Sequence, residues 1–359
     1  MSNRPPYETS SAPLLQRLPA RLALFRALQL GDMLCAVPAL RALRTALPDT
    51  RITLIGLPWA AQFARRFRHY VDDFIAFPGH PAFPEQVARE AMLSEFYREL
   101  QAREFDFALQ MHGNGAVSNG VVQSFGAREM GGFAPSGEPT ADPQRFLPYP
   151  AGGPESLRLL RLVAHLGANH GNAALEFPLT DEDRNELRES GHPATIGGRP
   201  YFCIHPGARH RAKCWPPAHF AAVADAIAAR FRLLPVLTGS PQETDLTAAV
   251  AARMRHAAVD TAGPLSIGAM AALMQGAQLL VCNDTGVSHI AAGLRLPSVV
   301  VFNNADMQRW APLDRRLHRC IRDPHGEHMQ LVRSHAFELL AELPVPQADA
   351  SPRLAMSLE

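Results

Sequence analysis

Several polar stretches carry residue types suited to handling a charged leaving group. The stretch HPGARHRAKCWPP, residues 205–217, contains Lys213, the only lysine in a chain with 35 Lys and Arg together. Lys is a compact point charge on a flexible stem, whereas Arg is a broad planar fork. A crowded phosphate site tolerates the first and rejects the second. The bland alternative is a coding bias toward Arg that spares one Lys by chance. His205, Pro206 and Gly207 lead into this stretch. In NDTGVSHIAAGL, Asp284 and Thr285 can cap a helix, and Gly286 lets backbone approach a ligand closely. Backbone N–H groups at such a helix start bind phosphate. His289, one turn further, is either a ligand contact or a buried structural histidine. In LTGSPQETDL, Gly239 and Ser240 form a polar turn. Glu243 there can accept hydrogen bonds from ribose hydroxyls or serve as an ordinary acid of a first helical turn. In LQLGDMLCAVP, Gly31 permits a tight turn, and Asp32 is either an N-cap or a carboxylate aimed outward as a base. QMHGNGAVSNG supplies His112 and Asn114, assigned to an acceptor.

Other chemistries lack their signatures. QMHGNGAVSNG is not a dinucleotide fingerprint, because Ser118 stands at the third glycine's place. The chain has no Walker A sequence, no HExxH and no GxSxG. No DxD pair, which would hold a metal–diphosphate, stands at a strand end. The five cysteines form no CxxC pair, so neither a disulfide framework nor a structural zinc is expected.

The elements that must position these residues alternate strand and helix. Strands are expected at 21–28, 51–57, 72–78 and 105–111, with helices at 33–47, where Pro38 falls early, and at 84–102. The Gly- and Pro-rich segment 126–154 is expected to be a loop. A helix follows at 155–167, and the polar stretch 175–200 looks like a crossing between domains. Alternation then restarts, with strands at 201–207, 233–240, 278–286 and finally 297–304. Two such blocks imply two doubly wound, Rossmann-like parallel-sheet domains of the α/β class facing a central cleft. Ligands bind such sheets beyond the carboxyl ends of their strands, where all the stretches above lie. The expected division is a disordered lead-in over 1–20, an acceptor-side domain over 21–175, a nucleotide-donor domain over 176–343 and a loose tail over 344–359.

Composition narrows the class further. The chain of 359 residues is 47% hydrophobic with a formal net charge of +1, enough to bury two cores and too neutral for a nucleic-acid binder. The first twenty residues lack a signal peptide's apolar region, and no run is long enough to span a bilayer. A cytoplasmic protein is expected. FARRFRHY, residues 63–70, presents Arg65, Arg66, Arg68 and His69 beside Phe63, Phe67 and Tyr70. It is either a solvated helix face over buried aromatics or a peripheral contact with anionic lipid at the inner face of a membrane.

The combination of Gly-Asp, Lys-x-Trp-Pro and Asp-Thr-Gly-x-x-His, in that order, resembles glycosyltransferase family 9, the heptosyltransferases of lipopolysaccharide core assembly. The similarity runs from about residue 21 to 312 and includes RWAP at 309–312. The resemblance implies a GT-B fold and an inverting, metal-independent transfer from a nucleotide sugar, ADP-heptose by the family's name, to a lipopolysaccharide-core or related glycan acceptor. It implies Asp32 as catalytic base, Lys213 on the donor phosphates, Asp284, Thr285, Gly286 and His289 around the donor, and Glu243 on the ribose. No separate cofactor is implied. The chain departs from the pattern at Asn303, where the family usually has Gly, and at QMHGNG on the acceptor side. Two rivals stand beside this reading: a nucleotide-sugar epimerase of similar architecture, and a non-catalytic nucleotide-sugar-binding module.

Overall fold

β1 (Arg21–Phe25) is apolar on both faces, with Leu22, Ala23, Leu24 and Phe25 all buried. Such a run suits a parallel strand covered by helices on both sides. The computed structural model, which describes residues 18–137, 142–168 and 171–342, places β1 at the centre of a six-stranded parallel sheet. Its partners are β2 (Arg51–Gly56), β3 (Asp73–Ala76), β4 (Phe107–Gln110), β5 (Glu129–Ala134) and β6 (Phe146–Pro148). The order is β3-β2-β1-β4-β5-β6, and every pairing is parallel. A second six-stranded parallel sheet contains β7 (Tyr201–His205), β8 (Leu234–Leu237), β9 (Val259–Asp260), β10 (Leu280–Asn283), β11 (Ser298–Phe302) and β12 (His318–Arg322). Its order, β12-β11-β10-β7-β8-β9, repeats that of the first sheet when counted from β7.

This topology fixes where ligands go. Strand order reverses between β1 and β4 in one sheet and between β7 and β10 in the other. Loops leaving adjacent strands on either side of the reversal part to opposite faces and leave a crevice. Asp32 follows β1, His112 follows β4, Lys213 follows β7 and Asp284 follows β10. The Leu30–Ala46 helix packs on the Glu155–His165 helix of its own domain and on the Gly286–Leu294 helix of the other. The Asp181–Glu189 helix packs on the Ile267–Gln275 helix.

Several expectations are corrected. The first long helix begins at Leu30, so Pro38 lies in its interior, not early in it. There its ring removes the N–H that would bond the Leu34 carbonyl. Residues 84–89 are not helical; the helix starts at Leu93 after a short 3₁₀ turn. The 126–154 segment is not simply a loop, because it contributes β5 and β6. Its glycines allow the pairing: a methyl at Gly132 would sit 2.7 Å from the Gln110 carbonyl, and one at Gly131 would sit 2.9 Å from the Phe107 ring. The 175–200 crossing contains helices at Asp181–Glu189 and His192–Ile196. The first starts in a capping box between Thr180 and Asp183. β11 is not the last strand, since β12 follows it. Residues 1–17 of the expected lead-in and the whole 344–359 tail lie outside the described residues.

Candidate active site

The second domain builds a scaffold around Lys213 from its own strand ends. Asn283, fully buried at the end of β10, accepts from the Trp215 N–H at 2.8 Å and donates to the Pro206 carbonyl at 2.7 Å. The buried Trp215 ring donates its Nε1–H to Asp323 at 2.8 Å. Asn303 donates to the Lys213 carbonyl at 3.1 Å, so the residue that departs from the family pattern helps hold this loop. With the backbone pinned, the Lys213 ammonium reaches Asp284 at 3.3 Å while its side chain remains 37% exposed. Burial raises the Asp284 pKa, and Lys213 opposes that rise. Asp284 is therefore committed to an ion pair and does not cap the following helix. Thr285 occupies the N-cap position without a side-chain cap bond.

A cavity of about 450 Å³ lies beside this scaffold. Gly31 lines it from the first domain, and His205, Gly239, Ser240, Glu243, Thr285 and Gly286 line it from the second. Glu243 accepts from the Ser240 N–H and hydroxyl, both at 2.8 Å, in a capping box. A methyl at Gly207 would collide with the Glu243 carboxylate. His205 faces the Thr238 hydroxyl at 3.1 Å, and burial lowers its pKa.

The starts of two helices flank this cavity side by side. A methyl at Gly31 would meet His289 Cδ2 at 2.9 Å and the Gly286 Cα at 3.5 Å. One turn on, the Cys35 Sγ lies 3.8 Å from His289 Nδ1. Both helices thus run the same way, with their free N–H groups at the cavity. His289 itself is buried in this packing, and burial holds its pKa down at about 4. It is placed as a neutral packing residue between the domains and not on the cavity wall.

Asp32 lies in the first turn of its helix, where Gln29 and not Asp32 occupies the N-cap. Burial raises its pKa, Arg26 and Arg309 oppose the rise, and Glu155 reinforces it. Asp32 thus adjoins Gly31 of the cavity wall with a raised proton affinity, which is what a general base would need. Of the two acceptor-side residues, His112 is buried between Phe25 and Phe83, with ring centroids 5.3 and 4.4 Å away. Its pKa falls to about 3 through burial, and its Nδ1 accepts from the Ala27 N–H at 3.3 Å. Asn114 is exposed and closes a turn onto the Ala116 N–H. The 84–89 segment meets the other domain instead: the Glu85 carbonyl accepts from the Arg209 side chain at 3.1 Å.

Sequence reasoning missed the cavity wall formed by Thr261, Leu265, Ile267 and Met270. These residues follow β9, a strand only two residues long, too short for any periodic signal. It also missed Arg26, Glu155 and Arg309, which pair over long sequence separations. In FARRFRHY, Phe63 and Phe67 are buried, Arg66 bonds to Asp183, and His69 lies 3.9 Å from Glu176, which leaves Arg65 and Arg68 exposed. Among the described residues no helix is long and apolar enough to cross a membrane.

Comparison with known proteins meets this geometry. The model of glycosyltransferase family 9 (heptosyltransferase) matches residues 93–340. Lipopolysaccharide heptosyltransferase 1 of Pseudomonas aeruginosa is 26% identical over 306 residues, covering 79% of this chain and 78% of that protein. Lipopolysaccharide heptosyltransferase 3 of Escherichia coli is 35% identical over 128 residues, which is 35% of this chain and 37% of that protein. Among solved structures, the family 9 glycosyl transferase of Veillonella parvula superposes with a TM-score of 0.77 at 20% identity, over 93% of this chain and 100% of that one. The E. coli heptosyltransferase WaaC with ADP superposes with a TM-score of 0.65 at 19% identity, over 90% and 99% of the two chains. The fold is therefore GT-B, as the two parallel sheets had indicated.

Proposed function

The chain belongs to glycosyltransferase family 9, the heptosyltransferases, and from that membership we propose that it transfers heptose from ADP-heptose, with inversion, to a lipopolysaccharide-core sugar. One observation carries the reading. Glu243, Thr285 and Gly286 of one domain and Gly31 of the other line one cavity, with the Lys213–Asp284 pair in the adjoining loops and Asp32 next to Gly31 on its helix.

In the reaction, an acceptor hydroxyl attacks the anomeric carbon opposite the leaving diphosphate. A bond forms from the hydroxyl oxygen to that carbon, and the bond from the carbon to the phosphate oxygen breaks. The hydroxyl proton passes to Asp32, and ADP departs with the bonding electrons. Lys213 and the N–H groups at the Gly286 helix start oppose the charge gained by the diphosphate, as preorganised electrostatics do. Glu243 takes the ribose hydroxyls. With this charge supplied by the chain itself, the transfer runs without a divalent metal and keeps its rate in a chelator. A membrane-embedded acceptor is met at the cytoplasmic face, where exposed Arg65 and Arg68 give peripheral contact with anionic lipid.

The test is direct. The protein is incubated with ADP-heptose and a heptose-deficient lipopolysaccharide core dispersed in detergent. ADP release and a gain of one heptosyl residue on the core are expected, and ADP should raise the melting temperature more than UDP or GDP does. A stronger response to UDP, or ADP-heptose consumed to a new nucleotide sugar without any acceptor, would refute the assignment.

A further inference from the structure

Arg309 belongs to the second domain. It sits on a short helix, Met307–Trp310, whose start is capped by Asp306 accepting from the Gln308 N–H at 2.9 Å. From there it crosses to the first domain. Its Nε donates to Glu155 Oε2 at 2.9 Å, and its Nη2 donates to the Tyr149 hydroxyl at 2.9 Å. Glu155 is 4% exposed and is shared: its Oε1 accepts from Arg26 at 3.1 Å. Arg26, buried in turn, donates from Nε and Nη2 to the Asp32 carbonyl at 3.1 and 2.8 Å. A continuous chain of charge-assisted hydrogen bonds thus runs from the donor domain to the backbone of Asp32. Tyr149 also accepts from Arg158 at 3.1 Å, which fixes the hydroxyl that Arg309 meets.

We propose that Arg309 is a positioning residue for transfer, docking onto Glu155 and Tyr149 so that Arg26 sets the helix turn carrying Asp32 only when the two domains are together. The inference rests on Asp32 being the base. Two features make Arg the fitting residue. Its fork spans two acceptors at once, which a Lys ammonium cannot do with the same geometry. The buried Glu155 is also bonded by both cations, with Arg158 more distant at 3.9 Å, and a buried carboxylate left short of a partner is strongly unfavourable. Burial would raise the Glu155 pKa, but Arg26 and Arg309 together hold it below the usual range. The charged and titratable groups around Asp32 are Arg26 just after β1, Glu155 from its helix, Arg309 from the other domain, Glu85 from the 84–89 segment and the neutral thiol of Cys35 on the same helix. Withdrawing Arg309 removes one cation from this set, so the Asp32 proton affinity rises.

The test uses the full chain labelled with ¹³C at aspartate side chains, with the Asp32 signal assigned by its absence in Asp32→Asn. Arg309→Gln should raise the Asp32 titration midpoint by about half a unit or more. It should lower turnover with ADP-heptose and the core acceptor by about 10-fold or more while leaving the ADP dissociation constant within about twofold. Arg309→Lys should fall between the two, and serves as the folded comparison if the Gln variant melts early. An unchanged midpoint and unchanged turnover in both variants overturn the proposal. Turnover of Asp32→Asn at the parent rate would instead remove Asp32 as the base, an outcome separate from the midpoint that judges Arg309.

Discussion

Replacing Lys213 by alanine tests the proposed phosphate site at its most charged point. Two unit charges 4 Å apart interact by about 1 kcal/mol in water and about 4 kcal/mol at an effective dielectric near 20. The Lys213 side chain is 37% exposed, so its surroundings fall between these limits. If one unit of charge develops on the leaving diphosphate, the loss is about 2–3 kcal/mol, or about 30- to 160-fold in turnover. Single-turnover ADP release reads this directly, with ADP affinity measured separately by calorimetry. Lys213→Arg should recover only part of the loss. The charge returns, but the neighbouring Trp215 and the Asn303 bond to the Lys213 carbonyl fix where the stem begins. The variant also leaves Asp284 buried without its cation, so its pKa rises further above the ordinary value. A carboxylate whose folded pKa is raised loses stability as pH rises through the shifted range. Lys213→Ala should therefore melt closer to the parent protein in acid than at neutral pH. Turnover within about threefold of the parent would refute the electrostatic argument.

Three further outcomes are expected. Burial raises the Asp32 pKa, and a base acts deprotonated, so kcat/KM should fall as pH drops through a limb lying above the ordinary aspartate value; Asp32→Asn should remove about 10²–10⁴-fold of rate without weakening ADP binding. Asn283→Ala leaves the Trp215 N–H and the Pro206 carbonyl unpaired in the core, at about 1–3 kcal/mol each. Urea denaturation should show that loss, and a change below about 1 kcal/mol would count against the scaffold role. Gly31→Ala pushes a methyl against His289 and should cost about 1–3 kcal/mol with reduced turnover, read by calorimetric melting beside the transfer assay.

Most of the strands that could be read in the sequence are buried on both faces, although β3, read at 72–78, is only partly buried. β1, β2, β7, β10 and β11 are continuous apolar runs, because helices cover both sides of each sheet. β5, β9 and β12 gave no such signal. β5 is thinned by Gly131 and Gly132, which let neighbouring backbone and side chains approach; β9 has two residues; and β12, HRCIR, is largely polar at the sheet edge. The loops around the cavity were legible because ligand chemistry in a doubly wound sheet collects after strand ends, and Gly-Asp and Asp-Thr-Gly punctuate those ends. The roles of individual side chains were less so. His289 and His112 carry reactive types, yet the structure spends both on packing. Nothing local in RWAP or in the first turn of the 155–165 helix announces that Arg309 and Glu155 meet, since 154 residues separate them.

The paired helix starts at Gly31 and Gly286 have an energetic consequence. Each carries about half a positive charge, and the two glycines let these like poles sit nearly touching. Like poles at this spacing repel one another, and an anion placed between them would be attracted by both, so the charge of any ligand seated there bears directly on how the two domains pack.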